Sequence, residues 1–149
     1  MTDKLSTTQI QDFISRQTRA QANHFRAAFL RAQRIRPDGF TIDSLGNVRD
    51  YPGGFAVGIR STSYADIDEL IRENFNVVTC GNLSTLHFGF WRDASTGETF
   101  IDAVEVYDGI GEAIETAVRY GQKAIWDFAN KKEVNVADYR NEIAARVRF

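Results

Sequence analysis

Apolar residues recur every three or four positions along the first quarter of the chain, which is the spacing of one face of an α-helix. Ser6 and Gln9 form a capping-box pair that favours the start of a helix, and Pro37 ends it. The pattern predicts a helix over residues 7–36, about 45 Å long at 1.5 Å per residue, and this length favours a break near residues 21–23. The apolar stripe consists of Ile10, Phe13, Ile14, Phe25, Ala28, Phe29, Ala32 and Ile35.

Beyond residue 39 the apolar positions alternate with polar ones or form short runs, and both patterns are typical of strands. The turn at residues 94–97 joins two of these segments as a hairpin, with Phe88 in the first and Val104 in the second. Both faces of the hairpin carry apolar residues, which indicates a sheet that is covered on at least one side. Strands or extended segments are predicted at residues 40–42, 47–49, 55–59, 75–80, 86–91, 100–106 and 124–126.

Three further segments show helical spacing. The first is expected to begin at Ser63, the second to be capped by Asp108, and the third to begin at Asn135. Polar turns are expected at residues 81–82 and 130–133. These helices are predicted at residues 63–74, 110–120 and 135–147.

Together these elements predict an α+β fold. We expect an antiparallel sheet of four or five strands with helices on one face, and a long amphipathic N-terminal helix that either packs on the sheet or projects from it. A length of 149 residues suits a single domain over residues 1–149. Its parts are the long basic helix at 7–36, an α+β body at 40–128 and a C-terminal helix at 135–147.

Composition places the chain among globular proteins. A hydrophobic fraction of 43% and 11 phenylalanines supply a packed core and argue against disorder. The single cysteine, Cys80, excludes an internal disulfide and suits a reducing compartment. No apolar run approaches the roughly 20 residues of a membrane-spanning helix, and the polar amino terminus does not resemble a secretory signal. We therefore expect a cytoplasmic protein without a membrane partner.

Charge is distributed unevenly although the net charge is only −2. The first helix carries six arginines against one acid, Asp12, whereas residues 93–115 carry acids and no base. This asymmetry favours either separate partners for the two regions or internal pairing between them, and internal pairing is the simpler interpretation. The acids are Asp93, Glu98, Asp102, Glu105, Asp108, Glu112 and Glu115.

Four of the arginines fall within one third of the helical circumference, beside the apolar stripe. They are Arg16, Arg19, Arg26 and Arg34, and Asn23 and Gln33 lie near them. Arginines on one face bind phosphates or, in bidentate pairs, the carboxylates of a protein partner. A solvated face is the common alternative. A sequence pI of about 5.7 and the lack of aromatic residues among the arginines place nucleic acid below protein as the partner.

Three aromatic residues, Trp91, Tyr107 and Trp126, form a second candidate binding surface. Exposed aromatic residues are the usual anchors of protein interfaces. The same side chains also fill the space between a sheet and its helices, so both interpretations stay open.

Candidate catalytic residues are few and form no known motif. Cys80, His87 and the Asp102 region are the only groups that suggest an enzyme. Asp102 and Glu105 are an odd number of positions apart, so in a regular strand they point to opposite faces. One cysteine and two histidines are too few for a zinc site unless a carboxylate joins them. We predict no catalytic residue, no metal and no cofactor.

Four short patterns within residues 53–127 resemble small uncharacterised proteins of bacteriophages and other mobile elements. They are the glycine-rich segment 53–58, the segment 89–97, the alternating segment 100–104 and the segment 121–127. The resemblance excludes the long basic helix and carries no catalytic residue. It implies an accessory protein that binds host machinery, including defence systems.

The sequence therefore favours a non-catalytic interaction protein that binds a host macromolecule, in the first place a protein. A nucleic-acid-binding protein that uses the arginines of the first helix is the alternative, and a small enzyme ranks third. We also expect at least some self-association, and the long amphipathic helix with Phe25 and Phe29 on its stripe is one candidate for the seam of a homodimer.

Overall fold

The computed structural model describes residues 4–80 and 85–147. Within them the fold is α+β, as predicted, and contains a six-stranded antiparallel sheet and five helices. The helices are α1 (Thr7–Ile35), α2 (Ile67–Glu73), α3 (Phe75–Cys80), α4 (Ile110–Arg119) and α5 (Val136–Arg146). The strands are β1 (Gly39–Asp43), β2 (Phe55–Gly58), β3 (His87–Arg92), β4 (Thr99–Tyr107), β5 (Ala124–Asp127) and β6 (Lys132–Asn135).

The sheet has the strand order β1-β3-β4-β2-β5-β6, and every neighbouring pair is antiparallel. Its register places Phe88 opposite Ala103 and Phe90 opposite Ile101, so these four side chains share one face. The two core clusters that contain helix residues are both built on this face, which we call the covered face. The helices therefore lie on one side of the sheet, as the sequence predicts.

The opposite face of the sheet, the open face, carries a smaller apolar cluster. It contains Ala56, Val104 and Phe128, with Tyr51 and Val106 packed at its margin. Tyr51 belongs to the loop between β1 and β2, so this part of the open face is covered by a loop and not by a helix.

Helix α1 is one uninterrupted helix of 29 residues, so the predicted break near residues 21–23 is wrong. Its capping box between Ser6 and Gln9 is present as predicted. The first buried residue is Ala22, and the packed segment at 22–35 contributes Phe25, Ala28, Phe29 and Ala32 to the core, so Phe25 and Phe29 do not form the expected dimer seam. Residues 7–21, which we call the free segment, are exposed except for half-buried Thr18 and Gln21. The helix thus both packs on the sheet and projects from it.

Several predicted local structures differ from those observed. Residues 75–80 form helix α3 and not a strand, because Val78 is buried against the other helices in the core. The predicted turn at 130–133 gives way at Lys132 to strand β6, which raises the strand count to six. Residues 47–49 pair with β1 only through the isolated bridge between Val48 and Ile42. The predicted turn at 81–82 lies outside the described residues.

Two helix starts also differ from prediction. Helix α2 begins after Asp66, whose carboxylate accepts from the Glu69 backbone N–H, and not at Ser63. Helix α4 has Gly109 and not Asp108 as its N-cap residue, without a side-chain cap. Helix α5 begins after Asn135, as predicted.

Candidate binding surface on the first helix

The four predicted arginines, which we call the Arg side, divide between the two segments of α1. Arg16 and Arg19 lie on the free segment and are exposed. Neither forms an ion pair within the described part of the chain. Arg19 Nε donates a hydrogen bond to the Ser15 carbonyl oxygen, but at 3.4 Å this bond is long. Both guanidinium groups are therefore available to a partner.

Arg26 and Arg34 lie on the packed segment, where they line a shallow surface hollow of about 670 Å³. Asn23 and Gln33 line it as well, so four polar residues that the sequence places together do meet at one surface. The remaining lining residues are Ala27 and half-buried Leu30, which supply apolar surface. The hollow thus combines arginine, amide and apolar groups.

The arginines of the hollow differ in their pairing. Arg26 Nε donates to Asp68 Oδ1 at 2.9 Å, and both side chains are largely exposed. Arg34 is exposed and forms no ion pair with another described residue. An exposed pair such as Arg26–Asp68 contributes about 0.2–1 kcal/mol and is easily exchanged for a partner's carboxylate.

Internal pairing between the first helix and the acids of residues 93–115 is wrong. Arg26 pairs with Asp68, and Arg36 forms a bidentate pair with Asp50 at 2.7 and 2.6 Å. The hydrogen bonds from Arg36 lower the pKa of Asp50. Neither acid belongs to the acidic stretch, because that stretch runs from the end of β3 through β4 into α4, whereas α1 lies nearest to β1, α2 and α3.

The three predicted interface aromatics do not form one patch. Trp91 and Trp126 lie on the open face, 40% and 38% exposed, but they are on β3 and β5, with β4 and β2 between them. Three strand spacings alone separate them by about 14 Å. Tyr107 lies on the covered face, is half-buried and donates a short hydrogen bond to Glu105, which raises the pKa of Tyr107.

Trp91 belongs instead to a small polar and aromatic group at one corner of the open face. Its ring stacks on Phe100 with a centroid distance of 4.5 Å, and its indole hydrogen-bonds to Asp102. Ser63 Oγ also donates to Asp102, at 3.0 Å. Burial raises the pKa of Asp102, and the hydrogen bonds from Ser63 and Trp91 oppose that shift. No sequence pattern indicates this group, because Ser63 joins it from a loop that is distant along the chain.

The candidate catalytic groups His87 and Cys80 have different surroundings. His87 is buried and both of its ring nitrogens are engaged, one by Tyr51 and the other by the Thr85 carbonyl. Cys80 is exposed at the end of α3. No three His, Cys, Asp or Glu side chains within residues 4–80 and 85–147 come together as metal ligands would.

A second hollow, of about 540 Å³, lies between the loop after β2 and the end of α4. Arg60 lines it and stacks on Tyr64, 3.7 Å from the ring centroid. Arg60 Nη1 is 3.3 Å from Glu73, a charge contact whose geometry does not make a hydrogen bond. Arg60 is therefore already held and neutralised by neighbours, and we regard this hollow as structural.

Comparisons of the chain with protein families, with curated proteins and with solved structures find no match. In the described residues, no helix has both the length and the apolar character that crossing a bilayer requires. The fold and the surface together define an α+β protein with helices on one face of its sheet and a long, partly projecting helix that carries arginines without an ion pair.

Proposed function

We propose that this chain is a non-catalytic interaction protein that binds another protein through the Arg side of α1. The hollow between Arg26 and Arg34 carries the proposal, because a lining that combines arginine with apolar side chains is typical of protein interfaces. Arginine is also prominent among the residues that dominate binding energy. Arg16 and Arg19 extend the same surface along the free segment.

The partner that fits this surface presents carboxylates around an apolar contact. Arg16, Arg19 and Arg34 have no ion pair among the described residues, so an acidic partner meets three unpaired guanidinium groups. The resemblance of residues 53–127 to phage and mobile-element proteins adds a cytoplasmic host protein, including a component of a defence system, as the first partner to test. That part of the proposal rests on the resemblance alone.

Nucleic acid is the alternative partner, and the same three unpaired arginines favour it. Two features count against it. Asp68 of α2 pairs with Arg26, so its carboxylate repels phosphate beside the Arg side, and Ala27 and Leu30 make the lining of the hollow partly apolar. Binding to nucleic acid would weaken steeply with salt in proportion to the number of phosphates contacted.

The test is a pull-down with the tagged protein from a bacterial lysate, with and without nuclease, followed by mass spectrometry. The wild type is compared with a variant that carries Arg16→Glu and Arg34→Glu, and with Arg140→Glu as control, since Arg140 is exposed on α5. A stoichiometric protein that survives nuclease, is lost with the double variant and is retained with Arg140→Glu supports the proposal. Retention of every partner by the double variant contradicts it, and loss on nuclease treatment favours nucleic acid.

A further inference from the structure

The arginines of the Arg side, with two residues that lie between them, form one straight row along α1. At about 100° per residue the members of this row fall within about 80° of the helical circumference. Helix α1 has no break, so the row is about 27 Å long from Arg16 to Arg34 at 1.5 Å per residue. Its members, which we call the Arg row, are Arg16, Arg19, Asn23, Arg26, Leu30 and Arg34.

Charge limits the Arg row at its N-terminal end. Asp12 is exposed and lies on the same line, about one turn before Arg16, so it repels a carboxylate that reaches past Arg16. At the other end α1 stops at Ile35, and the next arginine, Arg36, is occupied by Asp50. An acidic partner therefore meets a footprint that is about 27 Å long and one helix wide.

The Arg row offers side chains but no backbone groups to a partner. Inside an α-helix the backbone N–H and C=O groups bond to one another, whereas a sheet edge presents free groups that pair with an added strand. An extended segment lying along α1 would leave its own backbone groups without partners in the contact. A helix satisfies its backbone groups internally, so a helix is the conformation that fits this surface.

The hollow gives the contact an apolar centre. Arg26 and Arg34 lie about 12 Å apart along the axis, and Leu30 lies midway between them, beside Ala27. Ala27 is small and exposed, which leaves room for one apolar side chain of a partner. On a partner helix, two carboxylates just over two turns apart have the same separation of about 12 Å, and a residue midway between them lies on the same face.

We propose that the Arg row binds an acidic amphipathic helix of the partner, which lies along α1 with carboxylates opposite the arginines and an apolar residue opposite Leu30. This inference rests on the proposed function and adds the conformation and the charge pattern of the bound segment. Arg16, Arg19 and Arg34 have no ion pair among the described residues, so their charge selects an acidic helix over a neutral one. A contact along a single helix is smaller than a standard interface, so the complex is expected to be transient.

Selection from a library of displayed random peptides tests the charge pattern. The wild type is the bait, and peptides that also bind the double variant Arg16→Glu, Arg34→Glu are removed. The enriched peptides are expected to carry Asp or Glu at spacings of three, four, seven and eight residues, with an apolar residue between them. Acids at spacings of two indicate an extended segment. That result overturns the proposal, as does a lack of enriched acids or a failure to recover any peptide that distinguishes the two baits.

Proline substitution in the most enriched peptide tests the conformation, with fluorescence anisotropy as the measure of affinity. Proline in the middle breaks a helix without changing the charges, and is expected to weaken binding about tenfold or more. Proline at the first helical position is the matched control, because a helix accepts it there, and is expected to leave the affinity within about twofold. Equal binding by both peptides overturns the helix and leaves the protein partner of the proposed function intact.

The same assay compares variants of the protein with the same peptide. The double variant Arg16→Glu, Arg34→Glu is expected to bind about tenfold more weakly or worse, whereas Arg140→Glu, on α5, is expected to bind like the wild type. Circular dichroism checks that each variant is folded. A labelled DNA duplex is expected to bind more weakly than the peptide, and tighter binding of DNA overturns the proposal. The pull-down identifies the partner and the peptides report the bound conformation, so the two proposals fail separately.

Discussion

The phenol oxygen of Tyr51 lies 2.6 Å from Nε2 of His87 on the open face of the sheet. The other ring nitrogen, Nδ1, is 2.8 Å from the Thr85 carbonyl oxygen, which can only accept a hydrogen bond. Nδ1 therefore carries the proton, and Nε2 accepts from the Tyr51 hydroxyl. The Tyr51 ring also meets Phe128 edge-on at 5.3 Å. The hydrogen bond between Tyr51 and His87 ties the loop between β1 and β2 to strand β3.

We expect Tyr51→Phe to lower the free energy of unfolding by about 1–3 kcal/mol, because it leaves Nε2 of buried His87 without its donor. Urea denaturation measures the change. Tyr120→Phe is the control, since Tyr120 is 37% exposed and its hydroxyl has no hydrogen bond among the described residues. Equal stabilities of the two variants would show that the Tyr51–His87 contact contributes nothing.

The loop that carries Tyr51 ends at a glycine whose backbone excludes a side chain. Gly54 has a φ of +89°, and a Cβ atom there would lie 2.9 Å from the Tyr107 carbonyl oxygen. The Gly54 carbonyl also accepts from the Phe128 backbone N–H, so the segment has little freedom to move. We expect Gly54→Ala to destabilise the protein by about 1–3 kcal/mol.

Gly53 provides a neighbouring control, because a Cβ atom there meets nothing within 4 Å and its φ is not positive. Gly53→Ala is expected to be neutral or to stabilise by up to about 1 kcal/mol through the unfolded chain. Thermal unfolding of both variants makes the comparison. A loss of stability in Gly53→Ala equal to that in Gly54→Ala would contradict the backbone explanation.

The elements with strong local signals could be predicted from the sequence. The capping box of Ser6 and Gln9 marks the start of α1, and the β3–β4 hairpin follows from its turn and its alternating residues. The helix at residues 75–80 could not be predicted from the sequence, because aromatic and β-branched side chains favour a strand. Burial of Val78 in the core favours the observed helix. Strand β6 has one apolar residue, Val134, which is too little for a pattern.

The candidate surface could be predicted only in part. Helical spacing places Arg26, Arg34, Asn23 and Gln33 on one side of α1, and the structure brings these residues to one hollow. Spacing alone does not show which part of an apolar stripe is buried. Ile14 and Phe29 belong to the same sequence pattern, yet one is 56% exposed and the other is fully buried, because only the packed segment meets the sheet.

Asp102 makes the free energy of unfolding depend on pH, and the direction of its pKa shift fixes the sign of that dependence. Burial raises its pKa above the ordinary value of 3.8, so the folded state holds this proton more tightly than the unfolded state. As the pH rises above 3.8 toward the higher folded pKa, the unfolded state binds fewer protons, and the contribution of Asp102 to stability falls. The stability of Asp102→Asn relative to the wild type is therefore expected to increase over that pH range.

Asp93→Asn is the control, because its stability relative to the wild type is expected to change with pH in the opposite direction. Hydrogen bonds from the side chain and backbone of Ser95 lower the pKa of Asp93, so its contribution is present above 3.8 and is lost as the pH falls through its lower folded pKa. The stability of Asp93→Asn relative to the wild type should therefore decrease as the pH rises from that lower pKa to 3.8 and stay constant above it. Urea titrations at several pH values measure both differences, and a difference for Asp102→Asn that does not change with pH contradicts the assignment.

The boundary between the free and packed segments of α1 predicts that the same substitution, Phe to Ala, has a large effect on stability in one segment and a small effect in the other. Phe25 is fully buried and meets Phe88 edge-on at 5.6 Å, so Phe25→Ala removes core contacts and is expected to cost about 3–5 kcal/mol. Phe13 is 53% exposed and adds nothing to the core, so Phe13→Ala is expected to change the free energy of unfolding by about 0.5 kcal/mol or less.

Chemical denaturation measures both variants. A small effect of Phe13→Ala beside a large effect of Phe25→Ala would show that the free segment contributes little to the stability of the fold. A large effect of Phe13→Ala would mean that Phe13 packs against the body of the chain. The free segment would then be part of the core, and the outward position of Arg16 would not follow.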